Sequence, residues 1–91
     1  NEITGMEDTP AFSKFLMYPN PTNGVLNIEI YEPILGEVTI TVTDLLGRIV
    51  MMDNAKNSNF SLELNDMESG VYVIKIENGE QVYLKRFVFS K

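Results

Sequence analysis

The final stretch of the chain, Gly70 to Lys91, constrains the fold more than any other part of the sequence. Two runs rich in Val, Ile, Tyr and Phe flank the dipeptide Asn78-Gly79. A two-residue type I′ turn needs a positive φ at both central positions, and Asn and Gly adopt that conformation at the lowest steric cost. The sequence therefore predicts an antiparallel hairpin with its turn at Asn78-Gly79.

The two arms of this hairpin have different hydrophobic patterns. The first arm alternates apolar and other residues with period two, which is typical of a strand with one buried side. In the second arm, Val82 and Leu84 begin a similar series, but Phe87 and Phe89 are apolar in the opposite phase. Either a bulge near Lys85-Arg86 or burial of both faces would explain the slip.

Five further runs predict short strands upstream of the hairpin. The clearest alternation is Val38 to Asp44, where Val, Ile and Thr disfavour a helix. Asp44 and Gly47 suit the first and fourth positions of a type I turn that a glycine bulge closes. The predicted turn residues are Pro19, Asn20, Pro21, Gly24, Asp44, Gly47, Asn78 and Gly79. Seven short strands without a helical period favour an all-β, two-layer antiparallel sandwich, with a small barrel as the second choice.

Length and local composition predict one domain preceded by a linker. The 91 residues suffice for one core. Asn1 to Lys14 is polar, is interrupted by Gly and Pro, and has no periodicity, so we expect a linker over residues 1–14 and a domain over 15–91. The sequence does not begin with Met and contains no signal peptide, so we expect a segment from the C-terminal end of a longer protein.

Charge and residue types argue against several functions. A net charge of −6 disfavours nucleic acid as a partner, because affinity for phosphates comes largely from Lys and Arg. The sequence has no His and no Cys, so a Ser-His-Asp triad and a thiol nucleophile are excluded. It also lacks the glycine patterns of nucleotide-binding loops. We therefore expect no enzymatic activity, no cofactor and no metal.

Three basic residues, Lys85, Arg86 and Lys91, stand in the last part of the chain with no acid among them. They are either solvated charges that deter pairing along an edge strand or a basic terminus that a partner recognises. The four tyrosines are scattered over several predicted elements. A carbohydrate-binding platform would need two or three of them coplanar and exposed, and half-buried strand tyrosines are the more common case.

Four segments of the sequence occur together, in this order, in one known family. They are Tyr18 to Gly24 (Y-P-N-P-x-x-G), Asp44 to Arg48 (D-x-x-G-[RK]), Ser69 to Tyr72 (S/P-G-[VI]-Y) and Lys85 to Val88 (K-[KR]-[FVI]-[VI]). Through them the chain resembles the C-terminal sorting domain, type A, of type IX (Por) secretion cargo from Bacteroidetes-type bacteria. The resemblance covers Tyr18 to Lys91.

The resemblance implies a fold and a function. Such domains are Ig-like β-sandwiches of seven strands that pass through the periplasm and direct their cargo through the type IX outer-membrane translocon. A sortase-like signal peptidase then cuts in the upstream linker, and the cargo reaches the outer membrane, the cell surface or the medium. By the resemblance, recognition would involve Gly70, Val71, Tyr72, Lys85, Arg86, Phe87, Val88 and Lys91.

Strand addition to the last strand is our hypothesis for part of that recognition, because a terminal strand offers unpaired backbone groups. The same exposed edge would allow a strand-swapped homodimer. Two other functions are retained as alternatives, a carbohydrate-binding module and a structural Ig-like module of a cell-surface protein.

Overall fold

The computed structural model describes residues 15–31 and 33–91, and in this part of the chain every regular element is a strand. Seven strands occur. In chain order they are β1 (Phe15–Tyr18), β2 (Val25–Ile30), β3 (Val38–Asp44), β4 (Ile49–Ala55), β5 (Asn59–Glu63), β6 (Gly70–Asn78) and β7 (Gln81–Phe89). The predicted linker, Asn1 to Lys14, lies outside the described residues.

The strands form two antiparallel sheets that pack face to face. One sheet has the order β1-β2-β5 and the other has the order β4-β3-β6-β7. The chain thus crosses between the sheets after β2, β4 and β5, as in Ig-like sandwiches. The inward side chains of both sheets form one core, whose fully buried members include Phe15, Leu26, Ile28, Ile40, Leu62, Ile74, Ile76 and Phe87. The predicted two-layer sandwich is confirmed.

A tyrosine at the start of β6 supplies a second Ig-like feature. The Tyr72 hydroxyl donates a 2.6 Å hydrogen bond to the carbonyl oxygen of Glu68, four residues upstream. A tyrosine that bonds back to the backbone at the start of the sixth strand is a hallmark of Ig-like sandwiches. The ring of Tyr72 also stacks on Phe87, with 5.8 Å between the ring centroids. This side chain therefore joins the β5–β6 connection to the core.

Strand β7 has no bulge, and the predicted slip in its pattern is wrong. Its pairing with β6 runs without a register shift along the whole strand. The odd-numbered residues of β7 face the core, and Tyr83, Phe87 and Phe89 are buried there. Leu84 is 58% exposed on the outer face, so the two faces are not both buried. The inward series is continuous, and Lys85 is a member of it.

Lys85 can occupy an inward position because it lies where the first strand meets the last. Its ammonium nitrogen is 4.9 Å from the centre of the Phe15 ring, and it donates a 3.3 Å hydrogen bond to the Phe15 carbonyl oxygen. Partial burial lowers the pKa of Lys85. A fully solvated charge, one of the two alternatives for the basic residues, therefore does not describe Lys85, whose side chain is half-buried against Phe15.

The turn of the terminal hairpin lies one residue later than predicted. Asn78 pairs with Gln81, so the two central residues are Gly79 and Glu80. Gly79 has a φ of +63°, whereas Glu80 does not share the positive φ. This combination is typical of a type II′ turn and not of type I′. The Asn78 side chain is used elsewhere, since its amide nitrogen donates to the Leu35 carbonyl oxygen at 2.8 Å and its oxygen accepts from the Leu35 amide at 3.1 Å.

Candidate functional site

Three of the sequence motifs, and the last residues of the fourth, lie at one end of the sandwich. Because successive strands are antiparallel, the β1–β2, β3–β4 and β5–β6 connections and the last residues of β7 all lie at the same end. We call this end, formed by residues 19–24, 44–48, 65–72 and 87–91, the motif end. Direct contacts join its parts, for example from the Lys91 amide to the Ser69 hydroxyl at 2.9 Å.

The β3–β4 turn is held by one carboxylate. Asp44 accepts hydrogen bonds from the backbone amides of Leu46 and Arg48, both at 2.9 Å, and from the Arg48 Nε at 2.8 Å. Gly47 has a φ of +88°. The predicted type I turn with a glycine bulge is therefore confirmed. The hydrogen bond from the Arg48 amide is the main reason that the pKa of Asp44 lies below its usual range.

The β1–β2 connection lies along the final part of β7. The side-chain oxygen of Asn20 accepts from the Val88 amide at 2.9 Å, and the Thr22 amide donates to the Val88 carbonyl at 2.9 Å. The Thr22 carbonyl then accepts from the Ser90 amide at 2.8 Å. The edge of β7 is thus covered over its last residues.

Thr22 is a structural residue of this site that the sequence analysis missed. It is 1% exposed, and its hydroxyl donates to the Val25 carbonyl oxygen at 2.6 Å. The same hydroxyl accepts from the Gly24 amide at 3.2 Å. A Thr between a Pro and an Asn-Gly pair has no local signal of burial, because its partner strand lies at the far end of the sequence. Asn20 was predicted only as a turn residue, and its bond to β7 was not foreseen.

Two of the motifs lie side by side on neighbouring strands. In the β6–β7 ladder, Val71 stands opposite Val88 and Tyr72 stands opposite Phe87. Among the residues that the resemblance assigns to recognition, Tyr72 and Phe87 are buried, Gly70, Val71 and Lys85 are half-buried, and Arg86, Val88 and Lys91 are exposed. The structure thus brings the two motifs together and leaves part of each at the surface. Their role in recognition stays a prediction.

An open depression of about 390 Å³ borders the β3–β4 turn at the motif end. Asp44, Asp66 and Glu68 are among its lining residues, together with Arg48, which pairs with Asp44. Among the described residues, no group of three or more His, Cys, Asp or Glu side chains is arranged to hold a metal ion. In the same part of the chain, no helix is long and apolar enough to cross a membrane.

The tyrosines divide into two pairs. Tyr72 and Tyr83 are buried, whereas Tyr18 and Tyr31 are exposed on the three-stranded sheet. The Tyr18 hydroxyl donates to a carboxylate oxygen of Glu29 at 2.6 Å, and this bond is the main reason that the pKa of Tyr18 is raised. The expectation of half-buried strand tyrosines is therefore wrong, because two of the tyrosines are buried while Tyr18 and Tyr31 are 40% and 62% exposed.

Comparisons with known proteins agree with this architecture. A family model described as "Secretion system C-terminal sorting domain" matches residues 16–90. No curated protein matches the sequence significantly. A solved chain from work on PorZ, an essential bacterial surface component of the type-IX secretion system of Porphyromonas gingivalis, aligns with a TM-score of 0.59 and 18% identity. The alignment covers 91% of this chain and 13% of that chain, and at this identity it shows the fold alone.

Proposed function

The chain belongs to the family of secretion system C-terminal sorting domains, and from this premise we propose that its motif end is the surface that the type IX machinery recognises. The domain is a sorting signal for type IX secretion, which exports proteins across the outer membrane. The observation that carries the proposal is that three of the family-like segments and the last residues of the fourth lie at one end of the sandwich.

The position of the upstream chain supports this assignment. The upstream chain joins the domain at Phe15, which pairs with Ile30 at the end of the sandwich opposite the motif end. The domain measures about 33 Å along its longer axes. A cargo joined before Phe15 therefore leaves the motif end accessible. This geometry suits a signal that unrelated cargo proteins share.

The exposed and the buried residues of the motif end, and of Lys85-Arg86 just before it in β7, have different roles in this proposal. Arg86, Val88 and Lys91 are exposed and contact the outer-membrane translocon directly. The half-buried side chain of Val71 adds to this contact. Tyr72, Phe87 and Lys85 act by holding the two strands in place, as Gly70 does by starting β6. The domain acts by binding and carries out no chemistry itself.

The remaining steps belong to partners. The domain reaches the translocon from the periplasm, and a sortase-like peptidase cuts the chain in the segment Asn1 to Lys14 or directly beside it. The cargo then stays on the outer membrane or leaves the cell. Each of these steps needs an accessible upstream segment and a folded domain. The seven described strands form such a folded domain.

A secretion assay tests the proposal. Residues 1–91 are fused behind a periplasmic fluorescent protein in a host with type IX secretion, beside the variants Val88→Glu and Lys91→Glu. We expect both variants to fold but to lose most of the fluorescence at the surface and in the medium. Met52→Glu is the matched control, because Met52 is exposed on the outer face of the same sheet but lies on β4. Normal secretion of the folded Val88 and Lys91 variants would contradict the proposal.

A further inference from the structure

Among the described residues, only half of the edge of β7 has hydrogen-bond partners. Its last part is bonded to Asn20 and Thr22 through the outward backbone groups of Val88 and Ser90. Because backbone groups alternate along a strand, the amides and carbonyls of the even-numbered residues Val82, Leu84 and Arg86 face the same edge. Within residues 15–31 and 33–91, no hydrogen bond reaches these groups.

The side chains of this open half are apolar and basic. Val82 is 48% exposed, Leu84 is 58% exposed, and Arg86 continues the same outward row. The whole of β7, Gln81–Phe89, contains no acidic residue, although the chain has a net charge of −6. The open half therefore differs in charge from the rest of the domain.

The other described sheet edges are less suited to pairing. The β3–β4 ladder contains a register shift between Val42 and Thr43, and such a bulge twists β4 away from a regular partner. The edge strands of the second sheet, β1 and β5, have four and five residues. Short edges deter strand addition. The first half of β7, in contrast, continues without a register shift into the rest of a nine-residue strand.

We propose that an extended segment of a partner protein, in which acidic and apolar residues alternate, adds as a strand to Val82–Arg86. Its backbone bonds the outward groups of Val82, Leu84 and Arg86, and one of its carboxylates lies beside the Arg86 guanidinium. A second copy of β7 would present the same basic strand, so charge complementarity favours the acidic partner. This inference rests on the proposed function, because the partner then belongs to the type IX machinery.

A titration followed by nuclear magnetic resonance tests this site directly. The probe is a short synthetic peptide in which Glu alternates with Val, added to ¹⁵N-labelled residues 1–91. We expect chemical-shift changes centred on the amides of Val82, Leu84 and Arg86. A matched peptide with Lys in place of every Glu should bind at least about fivefold more weakly.

Two substitutions at Leu84 separate backbone pairing from side-chain contact. Leu84→Pro removes an outward amide and leaves the ladder to β6 intact, since that ladder uses the odd-numbered residues of β7. We expect Leu84→Pro to lose peptide binding and Leu84→Thr to keep it. The inference would be overturned if folded Leu84→Pro bound the peptide as well as wild type does. It would also be overturned by chemical-shift changes centred elsewhere, or by concentration-dependent self-association of the domain through this edge. If the peptide fails at this edge while Val88→Glu still blocks secretion, the inference fails and the proposed function stands.

Discussion

The Tyr72 hydroxyl lies 2.6 Å from the carbonyl oxygen of Glu68 and donates a hydrogen bond to it. The ring of the same side chain stacks on Phe87 in the neighbouring strand. One residue thus fixes the β5–β6 connection, the start of β6 and the end of β7 relative to each other. All three belong to the motif end.

Tyr72→Phe should destabilise the domain by about 1 kcal/mol, because one intramolecular hydrogen bond is lost while the ring still packs. Urea unfolding followed by circular dichroism measures the change. Tyr31→Phe is the control, since Tyr31 is 62% exposed and we expect little effect there. Equal midpoints for the two variants would show that the Glu68 bond contributes nothing.

Gly47→Ala should cost about 1–2 kcal/mol, because a Cβ is strained in the left-handed region. Gly47 has a φ of +88°. Gly24 offers a matched comparison at the same end of the molecule, since its φ is not in that region and its Cβ position has open space around it. We expect Gly24→Ala to lie within about 0.5 kcal/mol of wild type in the same unfolding assay. A Gly47→Ala variant as stable as Gly24→Ala would contradict this account of the turn.

The pH dependence of stability should include a contribution from Asp44. Its carboxylate accepts backbone bonds from Arg48 and Leu46, so its pKa in the folded state is lowered. The charged form therefore stabilises the fold above the unfolded-state pKa of about 3.9, and this stability is lost as the pH falls through the folded-state pKa. Asp44→Asn should be less stable than wild type near neutral pH, and the two should converge in acid. Urea unfolding between pH 3 and 7, as an approximate range, compares them. Parallel curves over that range would argue against this contribution.

Lys85→Ala should destabilise the domain by roughly 1–2 kcal/mol, because the partly buried apolar stem of the side chain is removed. Lys85→Met keeps an unbranched stem, so we expect it to stay closer to wild type than Ala does. Thermal unfolding of the two variants distinguishes the stem from the ammonium group. If Met were as damaging as Ala, the ammonium contacts would be the source of the stability. The Met variant is also the better probe of recognition. In the Ala variant, a loss of binding to the translocon could not be separated from a loss of folding.

Much of the sandwich could be predicted from local patterns. Alternating β-branched residues locate β3, and Asp44 with Gly47 specifies the β3–β4 turn, because these signals act within a few residues. The hairpin turn was predicted one residue too early, because Asn78 bonds the chain at Leu35, far away in sequence. The local turn preference of Asn78 contains no information about a hydrogen-bond partner that is distant in sequence.

The candidate site was harder to predict than the fold. The four motifs are visible in the sequence, but only the strand order brings three of them and the last residues of the fourth to one end. The burial of Thr22 and the inward direction of Lys85 both depend on where β1 meets β7, which no local pattern encodes. Periodicity alone could not decide which face of β7 is buried, because apolar residues occupy both faces of this strand.

The bonds from Asn20 and Thr22 to β7 also limit where the chain can be cut. Proteolysis before Phe15 leaves both residues in place, and the released domain keeps the end of its last strand covered. A cut between Thr22 and Gly24 would detach both residues from β2 and free the backbone of Val88 and Ser90 together. The open edge would then extend along all of β7, and the released domain would become prone to aggregation. The fold itself therefore sets the downstream boundary for processing that leaves an intact domain.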